Sequence, residues 1–364
     1  MAGAPRPGFA RPGPGPPLKE ESPVTDLTIL NGLPRVKGAS LPTPFEEAPR
    51  LSRAVGGTQP PRLFIKRDDL TGLATGGNKV RKLEYLVADA LAKGCDTLIT
   101  TGAVQSNHAR QTAAFGARYG LDVILMLSGK DPGQAAGNHL LDLILGADVR
   151  FAGVDDEDEV WRKMQVLGEE LGRQGRKAYL IPVGGSVPLG AMGYVAATLE
   201  LADQAIAAGV RMADLYVASS SAGTQGGIEL GLCLARERGF EGHCIGISVA
   251  RPSREVAEKV AELANLAAGM IGADYHFVPE HIEVLDQYIG PGYAIPTPEG
   301  TAAIKTLART EGIITDPVYS GKALSGLIGQ VGGGRYFPGQ PVIFWHTGGI
   351  PALFVLSGEF TGKR

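Results

Sequence analysis

Gly76-Gly77-Asn78-Lys79 runs straight into Val80-Arg81-Lys82-Leu83-Glu84-Tyr85, which sets a lysine in a glycine turn at the mouth of an amphipathic helix. Paired glycines reach φ > 0 freely and leave no side chain in the path of a planar ligand, so the Lys79 amine can be aimed into a pocket. A lysine so placed can form a Schiff base with a carbonyl ligand. Standing alone, the motif reads as a solvated surface lysine. Three further segments add to it. Gln105-Ser106-Asn107-His108 follows the apolar run Thr97–Thr101, Ser219–Gly227 follows Leu215–Ala218, and His346-Thr347-Gly348-Gly349 follows Val342–Trp345. Each is a polar or glycine-rich turn at the carboxyl end of a predicted buried strand, the edge at which open α/β sheets bind ligands.

The Ser219–Gly227 turn can offer successive backbone N–H groups and hydroxyls to a phosphate monoester at a helix N-terminus. It lacks the Gly-Lys-Ser/Thr ending of a Walker loop and the dinucleotide fingerprint, and a plain glycine turn is the alternative. Ser106 and Asn107 can bind a ring hydroxyl and a substrate carboxylate, or simply cap the helix that follows. His108 and His346 read as packed or capping histidines. Tyr293 and Tyr319 sit in glycine- and proline-bounded loops, where a tyrosine packs or, beside a carbanion, holds a carboxylate or moves a proton. The acidic run Asp155–Glu159 reads as the first turn of a helix rather than a cation site.

The elements that must carry these turns follow from periodicity. Apolar residues at three-to-four spacing predict helices over Val80–Leu91, Ala109–Tyr119, Ala136–Leu145, Glu157–Leu171, Ala191–Ala208, Gly227–Glu237, Ser253–Ala268 and Pro298–Glu311. Short continuous apolar runs predict strands between them, at Thr97–Thr101, Val123–Leu127, Val149–Phe151, Ala178–Ile181, Leu215–Ala218, Cys244–Val249 and Pro341–Trp345. Alternation of this kind predicts parallel sheets covered on both faces, and the strand number predicts two αβα domains with the ligand between them. The 364 residues suffice for that, and 44% apolar with 20% charged residues fits a globular protein. A net charge of −3 gives no attraction to nucleic acid or anionic membranes. No apolar run approaches the roughly 18 residues of a membrane span, and no signal-peptide core is evident. Cys95, Cys233 and Cys244, odd in number and without CxxC spacing, predict reduced thiols and a cytoplasmic protein. Residues 1–25, rich in Pro and Gly, predict a disordered tail.

Together the segments resemble the fold-type-II pyridoxal-phosphate enzymes of the ACC (1-aminocyclopropane-1-carboxylate) deaminase and D-cysteine desulfhydrase family, from about Leu33 to Val355. The landmarks are Lys66-Arg67-Asp68-Asp69, Gly76–Lys79, Gln105–His108, Ile181–Ser186, Ser221–Thr224, Glu311-Gly312, Asp316–Tyr319 and His346–Leu353. The resemblance implies a tryptophan-synthase-β-like fold, with a large cofactor-binding domain of residues 26–83 and 188–364 and a small domain of residues 84–187. It implies pyridoxal 5'-phosphate as cofactor, joined to Lys79, with Asn107 on the ring's 3'-oxygen. Ser221, Ala222, Gly223 and Thr224, with Lys82 nearby, would hold the phosphate. Ser106 would hold the carboxylate of a small amino-acid substrate, Tyr293 and Tyr319 would be the two active-site tyrosines, and Thr347 would line the cofactor. A homodimer is also implied.

Two positions separate the subfamilies. The deaminases carry a glutamate after the tyrosine matching Tyr319 and a leucine in the His-x-Gly-Gly turn; this chain carries Ser320 and Thr347, as the desulfhydrase-like members do. A neutral hydroxyl stabilises a protonated pyridine nitrogen less than a carboxylate does, which suffices when a good leaving group departs. The resemblance therefore implies β-elimination, with D-cysteine giving pyruvate, sulfide and ammonia. Sulfite elimination from L-cysteate and ACC deamination are the alternatives within the class. A protein that binds a phosphate ligand without covalent chemistry is the alternative outside it.

Overall fold

The computed structural model describes residues 28–361, so the N-terminal block expected as a tail lies outside the described residues. Ten strands occur among those residues, in chain order β1 (Phe45–Glu47), β2 (Arg62–Arg67), β3 (Thr97–Gly102), β4 (Asp122–Leu127), β5 (Asp148–Phe151), β6 (Ala178–Ile181), β7 (Met212–Ser219), β8 (Glu241–Ser248), β9 (Glu283–Leu285) and β10 (Pro341–His346). They form a six-stranded sheet in the order β1-β2-β10-β7-β8-β9 and a four-stranded sheet in the order β5-β4-β3-β6. Every pairing is parallel except the β1–β2 edge.

Strands of continuous apolar sequence arise because both faces of each sheet are covered. Along β10, Val342 and Phe344 enter one core while Ile343 and Trp345 enter another. In β3 the same period of two sends Leu98 to one side and Ile99 to the other. Four cores therefore flank two sheets, as an αβα pair requires.

Helices expected at 298–311 and strands at 178–181 match their observed bounds. The sequence reading passed over β1, β2, β9 and the helices Pro49–Gly56 and Ser320–Gly332. In β2 the pattern is obscured by Lys66, which is buried against the Glu200 carboxylate at 2.5 Å. In Ser320–Gly332 repeated glycines oppose helix propensity, yet a Cβ at Gly326 would stand 2.5 Å from Ile247. Close packing on β8 thus selects the residue that local propensity disfavours.

The helix Lys79–Ala92 departs from the amphipathic reading, because its polar residues are buried as well as its apolar ones. It lies between the helices Pro188–Ala207 and Asn107–Tyr119 rather than at a surface. Arg81 is neutralised by Asp68 at 2.8 Å and Glu200 at 2.9 Å. Glu84 pairs with Arg35 and accepts the Gly38 and Ala39 N–H groups, each at 2.7 Å.

Candidate active site

The carboxyl ends of β2, β10 and β7 in one sheet face those of β3 and β6 in the other, and short hydrogen bonds join their turns. The Asn78 N–H donates to the Thr347 carbonyl at 3.0 Å, and the Asn78 amide donates to Thr224 Oγ1 at 3.0 Å. Ser186, after β6, donates to Ser221, after β7, at 2.8 Å. Gly77 and Gly348 cross so closely that a Cβ on Gly348 would stand 2.7 Å from Gly77 Cα. The motifs separated in sequence are thereby brought to one cleft.

Lys79 is the first residue of its helix, with Asn78 as N-cap, so the helix begins one residue earlier than the expected Val80 and takes the lysine out of the turn. Its side chain keeps some open surface. Removal of water around the amine pushes it down to about 8, and no acceptor or carboxylate offsets that among the described residues. Lys82, one turn on, is fully buried and lies well below its ordinary value, first through burial and then through repulsion by Lys79. Among the described residues its amine meets only the Gly184 carbonyl at 3.2 Å and Ser186 Oγ at 3.4 Å. A buried ammonium lacking a carboxylate partner is costly unless an anion arrives from outside.

The place for that anion is the N-terminus of the helix Gly223–Arg236. Ala222 holds φ at 65°, a left-handed conformation unusual for a residue with a side chain. A Cβ at Gly223 would fall 2.8 Å from Lys82 Nζ and 2.9 Å from Ser186 Cα, so the helix start can approach Lys82 this closely only because this residue is glycine. Thr224 Oγ1, already accepting from Asn78, keeps its proton free to donate. Cation, hydroxyls and helix terminus fit a phosphate monoester, and Lys79 stands beside them.

Ser106 caps the helix Asn107–Tyr119, its Oγ accepting the Ala109 N–H at 3.2 Å, so the capping alternative is realised while the hydroxyl proton remains free. Asn107 points its Oδ1 at Arg110 and Asn138. His108 is buried and lowered by burial, with Nε2 on Thr100 Oγ1 at 2.8 Å, and His346 is buried with Nε2 on the Ile314 carbonyl at 3.0 Å. Both are packed histidines. Tyr293 and Tyr319 join through their hydroxyls. Loss of water raises both phenols, Tyr319 well above its ordinary value, so they stay protonated and act as donors. The Asp156 carboxylate accepts the Glu159 N–H at 2.8 Å as a helix N-cap, which accounts for the acidic run.

Residues without a site role in the sequence motifs support these. Arg110 and Gln111 both donate to the Gly76 carbonyl, and their spacing from Asn107 along one helix face is the signal that could have found them. Asp316 accepts the Val318, Tyr319 and Ser320 N–H groups and the Ser320 hydroxyl, the last at 2.5 Å. Asn138 comes from a distant helix, and nothing in the sequence connects it to the cleft.

A family model described as pyridoxal-phosphate dependent enzyme matches residues 36–348. The chain is 42% identical over 333 residues to the D-cysteine desulfhydrase of Klebsiella pneumoniae (strain 342), which covers 90% of this chain and 98% of that protein. A crystal structure described as that of an ACC deaminase homologue superposes with a TM-score of 0.84 at 39% identity, over 94% of this chain and 100% of the other. These matches extend across both sheets and the cleft between them, and the α/β fold with mainly parallel sheets is the one the resemblance implied. The chain belongs to the pyridoxal-phosphate-dependent enzymes, and pyridoxal phosphate is its cofactor.

Proposed function

We propose that this protein is a lyase that eliminates sulfide from D-cysteine to leave pyruvate and ammonia. The observation that carries this is the match over nearly its whole length to a D-cysteine desulfhydrase, in a chain whose cleft sets a hydroxyl, Ser320, where a carboxylate would favour harder chemistry. Bound pyridoxal phosphate supplies an aldehyde for the substrate amine and a conjugated ring that withdraws the electrons released at the α-carbon. The protein does the rest. Lys82, Thr224 and the N–H groups of Ser221 and Ala222 would anchor the phosphate, and the Asn107 amide would meet the ring's phenolic oxygen. Thr347, whose carbonyl holds Asn78, lines the ring. Ser106 and the first N–H groups of its helix hold the substrate carboxylate.

Lys79, with its amine near neutrality, takes the α-proton. The Cβ–S bond breaks, its electron pair leaves with sulfur, and the protonated phenols of Tyr293 and Tyr319 offer a proton to that thiolate. Addition of water releases pyruvate and ammonia, so the balance needs no oxidant. Ser320 is fully buried, and its hydroxyl donates to Asp316. Such a hydroxyl would hold a protonated ring nitrogen only weakly, which would disfavour opening a cyclopropane.

The division into a large domain of residues 26–83 and 188–364 and a small domain of residues 84–187 goes with this reading. A homodimer is favoured by exposed Leu140, Leu143, Ile144, Phe354 and Val355 on two helices that touch each other. A cytoplasmic setting is favoured by three buried unpaired cysteines; among the described residues no helix is long and apolar enough to cross a membrane. Incubation with D-cysteine, L-cysteate and ACC, followed by assay of pyruvate, sulfite and 2-oxobutanoate, tests the function. Pyruvate with sulfide from D-cysteine as the fastest product supports it, and preference for ACC contradicts it.

A further inference from the structure

Arg110 lies three residues after Asn107, so one helical turn stacks their side chains on a common face. It is fully buried, yet among the described residues only neutral oxygens accept from it. Nη1 donates to Asn107 Oδ1 at 2.7 Å and Asn138 Oδ1 at 2.5 Å, Nη2 donates to the Gly76 carbonyl at 2.8 Å, and Nε has no partner. The carboxylate whose charge bears on it most, Asp142, is buried with both oxygens unpartnered. Burial pushes Asp142 up to about 8, and Asp316, the other carboxylate whose charge bears on Arg110, turns its oxygens to the Val318, Tyr319 and Ser320 N–H groups. A guanidinium buried without a bonded counter-ion needs negative charge from another source.

Asn107 shows where that charge enters. Its Oδ1 accepts from Arg110 and also from Asn138 Nδ2 at 3.1 Å, which occupies both lone-pair directions of the amide oxygen. Only the N–H end of the amide remains to face a ligand. An amide presented in this way donates, and beside an unneutralised guanidinium its best acceptor is an anionic oxygen.

We propose that Arg110 is a positioning residue for the cofactor. It turns the Asn107 amide so that N–H meets the phenolic oxygen of the pyridoxal ring, and its charge, relayed through that amide, keeps the oxygen anionic. Its grip on the Gly76 carbonyl fixes the turn ahead of Lys79. This rests on the function proposed above, with the ring beside Asn107.

The test is equilibrium binding of pyridoxal phosphate and of its 3-deoxy analogue, which lacks the phenolic oxygen, to the apoprotein. Wild type is compared with Arg110→Lys and Asn138→Asp. The second variant leaves Arg110 in place, removes the Nδ2 donor and sets a carboxylate against the guanidinium, so it serves if Arg110→Lys does not fold. Wild type should prefer pyridoxal phosphate by roughly ten- to hundredfold, the scale of a charge-assisted hydrogen bond. In both variants that preference should collapse by about fivefold or more, and the pH at which the bound cofactor's visible band titrates should move. Equal weakening of both compounds, with preference and band unchanged, indicates a purely structural arginine and overturns the proposal. Wild type that binds both compounds alike also overturns it. Wild type that binds neither contradicts the proposed function instead.

Discussion

At the scale of single residues, burial lowers the basicity of two lysines one turn apart, for different purposes. Lys79 is depressed to about 8 and reacts; Lys82 is depressed further and waits for a phosphate. Replacing Lys79 with Ala should abolish pyruvate formation while the far-ultraviolet circular dichroism stays native, because the side chain contributes chemistry and little packing. Retained turnover in the purified variant would show that another group does the work. The pH dependence has a definite sign. Below about 8 the Lys79 amine is mostly protonated and cannot attack an aldehyde, so reconstitution of the apoprotein by pyridoxal phosphate should quicken about tenfold per pH unit up to that value and level off above it. A rate independent of pH between 6 and 9, roughly the range that free-amine control must span, contradicts the assignment. Thr224→Val removes a hydroxyl whose proton is free for the phosphate, so cofactor affinity should fall by about 1.5–3 kcal/mol and excess cofactor should restore activity.

Between residues and the molecule stands the helix Lys79–Ala92, which is held by neighbours rather than by its own propensity. Gly193, in the helix Pro188–Ala207, lets the two backbones approach until a Cβ there would stand 2.6 Å from the Arg81 carbonyl carbon and 2.9 Å from the Lys82 nitrogen. Gly193→Ala should therefore destabilise the protein by about 1–3 kcal/mol in urea unfolding. It should also weaken cofactor binding, since it pushes on the helix that carries both lysines. A stable variant with unchanged affinity would mean the helices can part without disturbing the cleft. Sequence periodicity located this helix but not its surroundings. Buried ion pairs such as Arg81 with Asp68 and Glu200 look, in one dimension, like a solvated polar face. The glycines of Ser320–Gly332 hid a helix for the related reason that packing constraints carry no local pattern.

For the whole molecule, the covered parallel sheets and the site edge were legible because such strands write themselves as apolar runs, with ligand-binding turns at their carboxyl ends, while the order of the strands within each sheet was not. The turns themselves were legible as motifs, Asp316 among them as part of its own turn and Arg110 only through its spacing from Asn107, whereas Asn138 reaches the site from another helix with no local pattern to announce it. The substrate preference also belongs at this scale, since it depends on Ser320 after one turn and Thr347 after another. Exchanging both, Ser320→Glu with Thr347→Leu, should shift the ratio of 2-oxobutanoate from ACC to pyruvate from D-cysteine upward. Total activity should fall, because the new carboxylate arrives beside Asp316. An unchanged ratio would remove these positions from the explanation of specificity. The central claim, that Lys79 is the residue that pyridoxal phosphate joins, is tested most directly by borohydride reduction of the purified protein, proteolysis and mass analysis of the peptides. The expected result is loss of the visible cofactor band and a pyridoxyl-phosphate group fixed on Lys79. A label on any other lysine, or a protein that carries none after incubation with the cofactor, would contradict it.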